Sequence, residues 1–272
     1  MLPKVAAIIV SHDSGSTLEH CVQCLESQEY PLERIIVVDS GSSDRGYLQV
    51  FDNRPRIQLV FAENIGFSRA NNCGIDSLAE SVDFVLFVNP DLFLPPDFVQ
   101  RALPYCENDS AIGVLGPKLL AYDCESGGPD GRIDSTGIAR KWYGRWYDRG
   151  QGEIDTNQYD TMEEMPALCG ALLFCRMSAL RTPGRPVFDP DFFLYKEDIE
   201  LCLRLGKQGW KIVYQPDLVA YHCRGWQGER AAMSFELRKI AAGSEVLLYK
   251  KHPSPYILWA LVKYLLVVFF RV

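Results

Sequence analysis

A few ionisable side chains stand at the ends of apolar runs, and their placement suggests chemistry. Asp91 closes Asn89-Pro90-Asp91, directly after Phe84-Val85-Leu86-Phe87-Val88. That run is short, aromatic and β-branched, the pattern of a buried strand. Pro90 cannot donate a ladder hydrogen bond and helps to end it. Asp39 closes a second such run, Arg34-Ile35-Ile36-Val37-Val38. Carboxylates at the carboxyl ends of buried strands stand where open α/β sheets hold ligands. Neither acid has a basic neighbour in sequence, so a cation or a donor-rich ligand is expected to join them. At Asp91 that points to a divalent cation carrying a diphosphate. Asp198, in Glu197-Asp198, opens a helical pattern, and a carboxylate placed beside such a crevice can take a proton from a hydroxyl. Each feature also has a plainer reading. Asn-Pro-Asp is a common turn, and acids favour a helix amino terminus through its dipole.

The elements needed to position these residues are legible in part. Residues 5–10 read as a buried strand, followed by the polar loop Ser11-His12-Asp13-Ser14-Gly15. Ser16-Thr17-Leu18-Glu19 has the spacing of a capping box, and Leu18, Cys21, Val22 and Leu25 recur at helical spacing. Residues 34–39 form the next strand, so the chain opens with a βαβ unit and a parallel sheet. A third strand covers 57–62 and a helix carries Ala70, Asn71, Asn72 and Gly74. The fourth strand, 84–88, delivers Asp91. Residues 118–141 read as β-hairpins or loops covering the site. Trp142, Tyr143, Trp146 and Tyr147 form an aromatic cluster, either a satellite core or a sugar-stacking surface. Residues 167–176 read as a buried strand, a helix runs from Glu197-Asp198 to about Gln208, and 211–214 and 218–222 are two short strands.

Bulk properties narrow the class. The chain has 272 residues, 47% hydrophobic and 23% charged, which suits one folded domain with an appendage. A net charge of −7 argues against a nucleic-acid partner. From Arg230 onward, however, seven basic residues face two acidic ones, so a basic tail follows an acidic body. The nine cysteines lie mostly in apolar periodic stretches, and because the amino terminus runs straight into a strand pattern no signal peptide is expected. Reduced thiols in a cytosolic protein are expected. Cys21-x-x-Cys24 fits a helix face better than zinc or redox chemistry, since no second pair follows. No internal repeat stands out.

The motifs in order resemble an inverting family-two glycosyltransferase of the GT-A fold, in the bacterial rhamnosyltransferase-like branch. The resemblance rests on Ile8-Ile9-Val10-Ser11-His12-Asp13, on Val37-Val38-Asp39-Ser40-Gly41-Ser42-Ser43-Asp44, on the block from Glu63 to Gly74, on Val88-Asn89-Pro90-Asp91, on Cys169-Gly170-Ala171 and on residues 188–204. It implies a single Rossmann-like α/β domain over residues 1–228, with a central, mostly parallel sheet flanked by helices. Residues 229–272 would be a helical, basic and apolar tail. It implies further that Ser11, Asp13, Asp39, Asn64 and Asn71 line the nucleotide-sugar pocket. Asp91 matches the last acid of the metal-binding Asp-x-Asp motif, His222 another metal ligand, and Asp198 the catalytic base. The implied cofactor is Mg2+ or Mn2+. Two departures stand out: Asn89 replaces the first acid of Asp-x-Asp, and residues 223–228 do not follow the usual ending.

The implied reaction moves a hexose, or a deoxyhexose such as rhamnose, from a UDP- or dTDP-linked donor to a saccharide or lipid-linked saccharide, in cell-surface polysaccharide synthesis. The alternative is a non-catalytic nucleotide-sugar-binding or scaffold subunit. A dinucleotide oxidoreductase is set aside, because the turn after the first strand lacks Gly-x-Gly-x-x-Gly. The apolar stretch 256–272 is 17 residues long with Lys263 in its middle, at the short limit for spanning a bilayer. Its flanking Lys250, Lys251 and Arg271 favour a helix lying at the membrane interface. A cytoplasmic protein, peripheral at the inner face of the cell membrane, is expected, with packing of this helix on protein as the alternative.

Overall fold

The computed structural model describes residues 2–223 and 233–271. The departure at 224–228 and the boundary between 228 and 229 lie outside the described residues. In chain order the elements are β1 (Val5–Ser11), α1 (Leu18–Glu26), β2 (Arg34–Ser40), a 3₁₀ turn (Gly46–Phe51), β3 (Ile57–Ala62), α2 (Phe67–Asp76), β4 (Phe84–Val88), β5 (Leu92–Phe93), α3 (Phe98–Asn108), β6 (Ile112–Asp123), β7 (Gly128–Ser135), β8 (Ile138–Arg140), β9 (Trp146–Asp148), β10 (Glu163–Glu164), β11 (Leu172–Arg176), α4 (Met177–Leu180), α5 (Glu197–Lys207), β12 (Lys211–His222), α6 (Phe235–Lys251) and α7 (Ile257–Phe270).

The central sheet runs β10-β12-β6-β11-β4-β1-β2-β3, with β5 on β12 and β7 on β6. β4, β1, β2 and β3 are all parallel, and so are β6 and β12. β11 is inserted antiparallel between β4 and β6. The result is the mixed, mostly parallel sheet flanked by helices that the motifs imply. Alternation along β1 divides the interior. Ala6, Ile8 and Val10 join the cluster containing α2, α5 and α6, whereas Val5, Ala7 and Ile9 join that beneath α1 and α3.

Several local expectations change. The capping box is absent: α1 starts at Leu18 with Thr17 as its cap and no side-chain cap bond. The Ser14 carbonyl instead accepts from the N–H groups of Thr17 and Leu18. The strand expected at 167–176 begins only at Leu172, because 168–171 turn toward α5. The two short strands at 211–222 are one strand, β12, with an irregularity between Gln215 and Val219. The aromatic cluster splits: Trp146 is buried, Trp142 is 85% exposed, and the Tyr143 ring meets Trp142 and Trp259 edge-on. Cys124 and Cys223 are brought together, their Cα atoms 5.7 Å apart, and the other seven cysteines are free.

The carboxyl-terminal helices pack on the body. Ala242, Val246, Leu248 and Tyr249 of α6 are buried, and Tyr249 donates to the Gly144 carbonyl. On α7, Lys263 is turned inward onto buried Glu245. Among the described residues no helix is long and apolar enough to cross a membrane.

One contact sets the distance between α2 and the sheet. A Cβ added at Gly74 would lie 2.5 Å from Cγ2 of buried Ile8. Gly74→Val should therefore lower the unfolding free energy by about 1–3 kcal/mol through overpacking, read as a lower urea midpoint.

Candidate active site

Strand register gathers the predicted residues at one end of the sheet. Ser11 pairs with Asp39 across β1 and β2, and Ile9 with Val88 across β1 and β4, so Asp39 and Asp91 leave from the same edge. Ser11 is buried and its hydroxyl shares a hydrogen bond with Tyr47 (2.7 Å), which also bonds Ser42 (2.8 Å). Asp13 sits at φ 49°, in the left-handed region that Asp tolerates. Its carboxylate accepts from the backbone N–H and hydroxyl of Ser43 (2.7 and 2.9 Å). The first of these bonds, helped by the second, holds its pKa below the usual value. Gly41, at φ +73°, lies so close to the Asn64 backbone that an added Cβ would come within 2.4 Å of its nitrogen. The turn after β2 is thereby pressed onto Asn64, which is exposed. Asn71 is separate from this group: it is buried in α2 and its amide donates to the Phe67 carbonyl (3.0 Å).

The two strand-end acids already have partners of their own, contrary to the expectation that a ligand must join them. Asp39 is 1% exposed and receives Arg45 Nε at 2.6 Å; Arg45 also donates to the Ala62 carbonyl and lies over the Phe61 ring. An arginine six residues downstream is visible in the sequence, but only the 3₁₀ turn brings it back. Asp91 is half-buried and its Oδ1 lies 3.2 Å from His222 Nε2. The backbone fixes this meeting, since Cys223 donates to the Asp91 carbonyl (2.8 Å) and β5 pairs Leu92 with His222. Behind the imidazole, Nδ1 meets buried Asp134 Oδ2 at 2.8 Å. Asp134 had no motif to reveal it. Burial alone would push the His222 pKa down, but the hydrogen bonds and charges of Asp134 and Asp91 outweigh it and raise it to about 9.

Asp198 arrives from the other side. The N–H of Asn89 donates to the Ala171 carbonyl (2.9 Å), extending the β4–β11 ladder toward Gly170. The Gly170 N–H then donates to Asp198 Oδ2 at 3.0 Å, and Ile199 N–H to Oδ1 at 2.8 Å. An added Cβ at Gly170 would press on Asp198 at 3.0 Å, so glycine allows this approach. Asp198 is partly exposed, whereas Glu197 is 6% exposed and its Oε2 has no hydrogen-bond partner among the described residues. Burial, then the Asp198 charge, pushes the Glu197 pKa up to about 8. Burial thus favours the neutral form of Glu197. The preceding Tyr195 and Lys196 are both left-handed (φ 69° and 72°). Neighbours fix that loop: Phe67 N–H bonds the Phe193 carbonyl, Ser244 the Leu194 carbonyl, and Lys251 both Asp189 and Asp191.

Residues 3–240 match the family described as glycosyltransferase like family 2. The chain belongs to that family. This glycosyltransferase is 29% identical over 246 residues to an N-acetylglucosaminyl-diphospho-decaprenol L-rhamnosyltransferase of Mycobacterium tuberculosis, covering 82% of this chain and 76% of that protein. It is 24% identical over 228 residues to the rhamnosyltransferase WbbL of Escherichia coli strain K12, covering 80% and 83%. Solved structures share the fold. A mannosyltransferase of Pyrobaculum calidifontis with GDP-Man and Mn2+ superposes with a TM-score of 0.63 at 16% identity, over 99% of this chain and 71% of that one. GalNAc-T7 with UDP, GalNAc and Mn2+ gives 0.69 at 17%, over 92% of this chain and 48% of that longer one. The neighbours are GT-A glycosyltransferases, and so is this fold.

The donor set suits a hard divalent cation. Cis ligands about 2.1 Å from an octahedral ion stand about 3 Å apart, and Asp91 Oδ1 and His222 Nε2 are separated by 3.2 Å. Among the described residues no group of three or more His, Cys, Asp and Glu is arranged to hold a metal ion, so this pair would rely on other ligands. Phosphate oxygens and water complete such sites in nucleotide enzymes.

The buried pair of raised pKa values sets a pH response. The folded protein binds protons at His222 and Glu197 that the unfolded chain releases, so stability falls as pH rises. The His222 contribution is full below about pH 6.5 and lost through about 9; the Glu197 penalty begins near 4.5 and is complete above about 8. In metal-free protein, urea midpoints should fall across this range. His222→Gln should flatten the slope between 8 and 9, and Glu197→Gln that between 5 and 7.

Proposed function

We propose that this glycosyltransferase moves a hexose, or a deoxyhexose such as rhamnose, with inversion. The donor is a UDP- or dTDP-linked sugar and the acceptor a saccharide or lipid-linked saccharide of the cell surface. The observation that carries the reading is the convergence of a partly exposed Asp198, held by the Gly170 N–H, with the Asp91–His222 pair across the β4–β11 ladder. The rhamnosyltransferase relatives support the sugar, and the decaprenol-linked substrate in the name of one supports a lipid-linked acceptor.

In this reading Ser11, Asp13, Asp39 and Asn64 line the nucleoside end, with Arg45 and Tyr47 as unforeseen neighbours. Asp39 must exchange or share its Arg45 contact when a base enters. Asn71, its amide engaged within α2, supports the helix that backs the pocket. Asp91 and His222 would hold Mg2+ or Mn2+, which neutralises charge on a diphosphate leaving group. Asp198 takes the proton of the acceptor hydroxyl as that oxygen attacks the anomeric carbon from the face opposite the leaving group. Its two backbone N–H bonds fix the carboxylate, and a neutral Glu197 adds no second negative charge beside it.

The same proposal places residues 1–228 as the catalytic unit and the tail at the cytoplasmic membrane face. Leu258, Val262, Leu265 and Phe269 of α7 are 69%, 49%, 50% and 72% exposed. Spaced by three and four, they form one apolar stripe. Lys263 is turned away from it onto Glu245, while Lys250 and Arg271 at its ends are exposed. A helix of 14 residues is about 21 Å long, too short to cross about 30 Å of hydrocarbon and suited to lying at the interface.

Asp198→Asn should lower kcat by roughly 10²- to 10⁴-fold with donor affinity, read by calorimetry with UDP- and dTDP-sugars, within a few-fold of the parent. Turnover near that of the parent would remove Asp198 as the base. For the tail, the triple change Leu258→Glu, Val262→Glu, Leu265→Glu should weaken co-sedimentation with anionic vesicles by roughly tenfold or more. Equal sedimentation of both proteins would place the membrane contact elsewhere.

A further inference from the structure

We propose that Asp134 is a positioning residue for the cation site. It holds the His222 ring by Nδ1 so that Nε2 is presented beside Asp91. This rests on the reading of Asp91 and His222 as cation ligands.

β7 pairs antiparallel with β6 as Leu119 with Ser135 and Leu120 with Ile133. One step along β6 thus matches two along β7, and the extra residue is Asp134. A bulge of this kind re-aims a side chain that regular pairing would place elsewhere. On its other flank β6 pairs Ala121 with His222 of β12. The bulged acid and the histidine therefore come from strands on opposite sides of β6, and they meet at 2.8 Å.

Burial gives the second line. The Asp134 and His222 side chains are 1% and 4% exposed, while Asp91 keeps 30%. A carboxylate enclosed at this depth is costly unless it is paired, and its partner here is the back of an imidazole whose front reaches the open edge. An imidazole that binds a cation through Nε2 carries its remaining proton on Nδ1. A carboxylate accepting that Nδ1–H fixes both the tautomer and the ring plane. The Asp134–His222–Asp91 line has this geometry, with Asn89 in place of a further acid on the approach from β4.

The test uses the full chain and Mn2+, titrated by electron paramagnetic resonance with and without UDP or dTDP. The parent should bind Mn2+, and Asp91→Asn should abolish this site. Asp134→Asn, which preserves shape, should weaken Mn2+ by about ten- to a hundredfold while metal-free nucleotide affinity stays within twofold. If Asp91→Asn leaves Mn2+ binding unchanged, the cation reading itself fails. If Asp91→Asn abolishes binding but Asp134→Asn matches the parent within twofold, Asp134 is not a positioning residue. Should Asp134→Asn fail to fold, ¹⁵N-histidine spectra of the parent decide, with His222 assigned by its loss in His222→Gln. A proton retained on Nδ1 and an Nε2 shift on adding Mg2+ with UDP or dTDP support the proposal. A proton that stays on Nε2 after Mg2+ and the nucleotide are added, or no Nε2 shift, overturns it.

Discussion

The antiparallel ladder between β4 and β11 is the constraint on which the site depends. β4 carries Asp91 to the open edge of the parallel sheet, and β11 returns along it in the opposite direction. The turn before β11 therefore lies beside the end of β4. The Asn89–Ala171 hydrogen bond locks this arrangement and leaves the Gly170 N–H facing Asp198. Without it the acid on α5 and the acid after β4 would have no fixed relation. The chemistry is assembled by backbone pairing, and the side chains inherit their positions.

Charge is handled differently at three points of the same edge. Asp39 is buried and held by Arg45. Asp91 is half-open and shares His222 with Asp134. Asp198 is partly open and held by the backbone N–H groups of Gly170 and Ile199, beside a Glu197 whose neutral form is favoured by burial. A carboxylate bonded by neutral N–H groups retains its negative charge for an incoming proton, whereas one paired with a cation is better suited to electrostatic work.

The carboxyl-terminal helices join this network from outside. Ser244 and Lys251 of α6 grip the loop from Asp189 to Leu194 that leads into α5, and that loop carries two left-handed residues. α7 in turn packs on α6 and presents its apolar stripe outward. The apolar face of α7 is thus two packing layers from the loop that leads to Asp198.

The family, the first four strands and the helices α1 and α2 are legible in the amino-acid order. β1, β2 and β4 are buried on both faces and read as continuous apolar runs, and β2 and β4 lead to Asp39 and Asp91. The sequence also marked Asp198, which opens a helical pattern, and, through the family resemblance, His222. Only the tertiary structure decided what those residues touch. The bulge at Asp134, the return of Arg45 onto Asp39, the approach of Cys124 to Cys223 and the merging of two short strands into β12 all depend on pairing between distant segments. Local periodicity carries no record of register. A one-residue shift between β6 and β7 leaves the pattern of each strand unchanged, yet it decides whether a carboxylate lies under the histidine of the site.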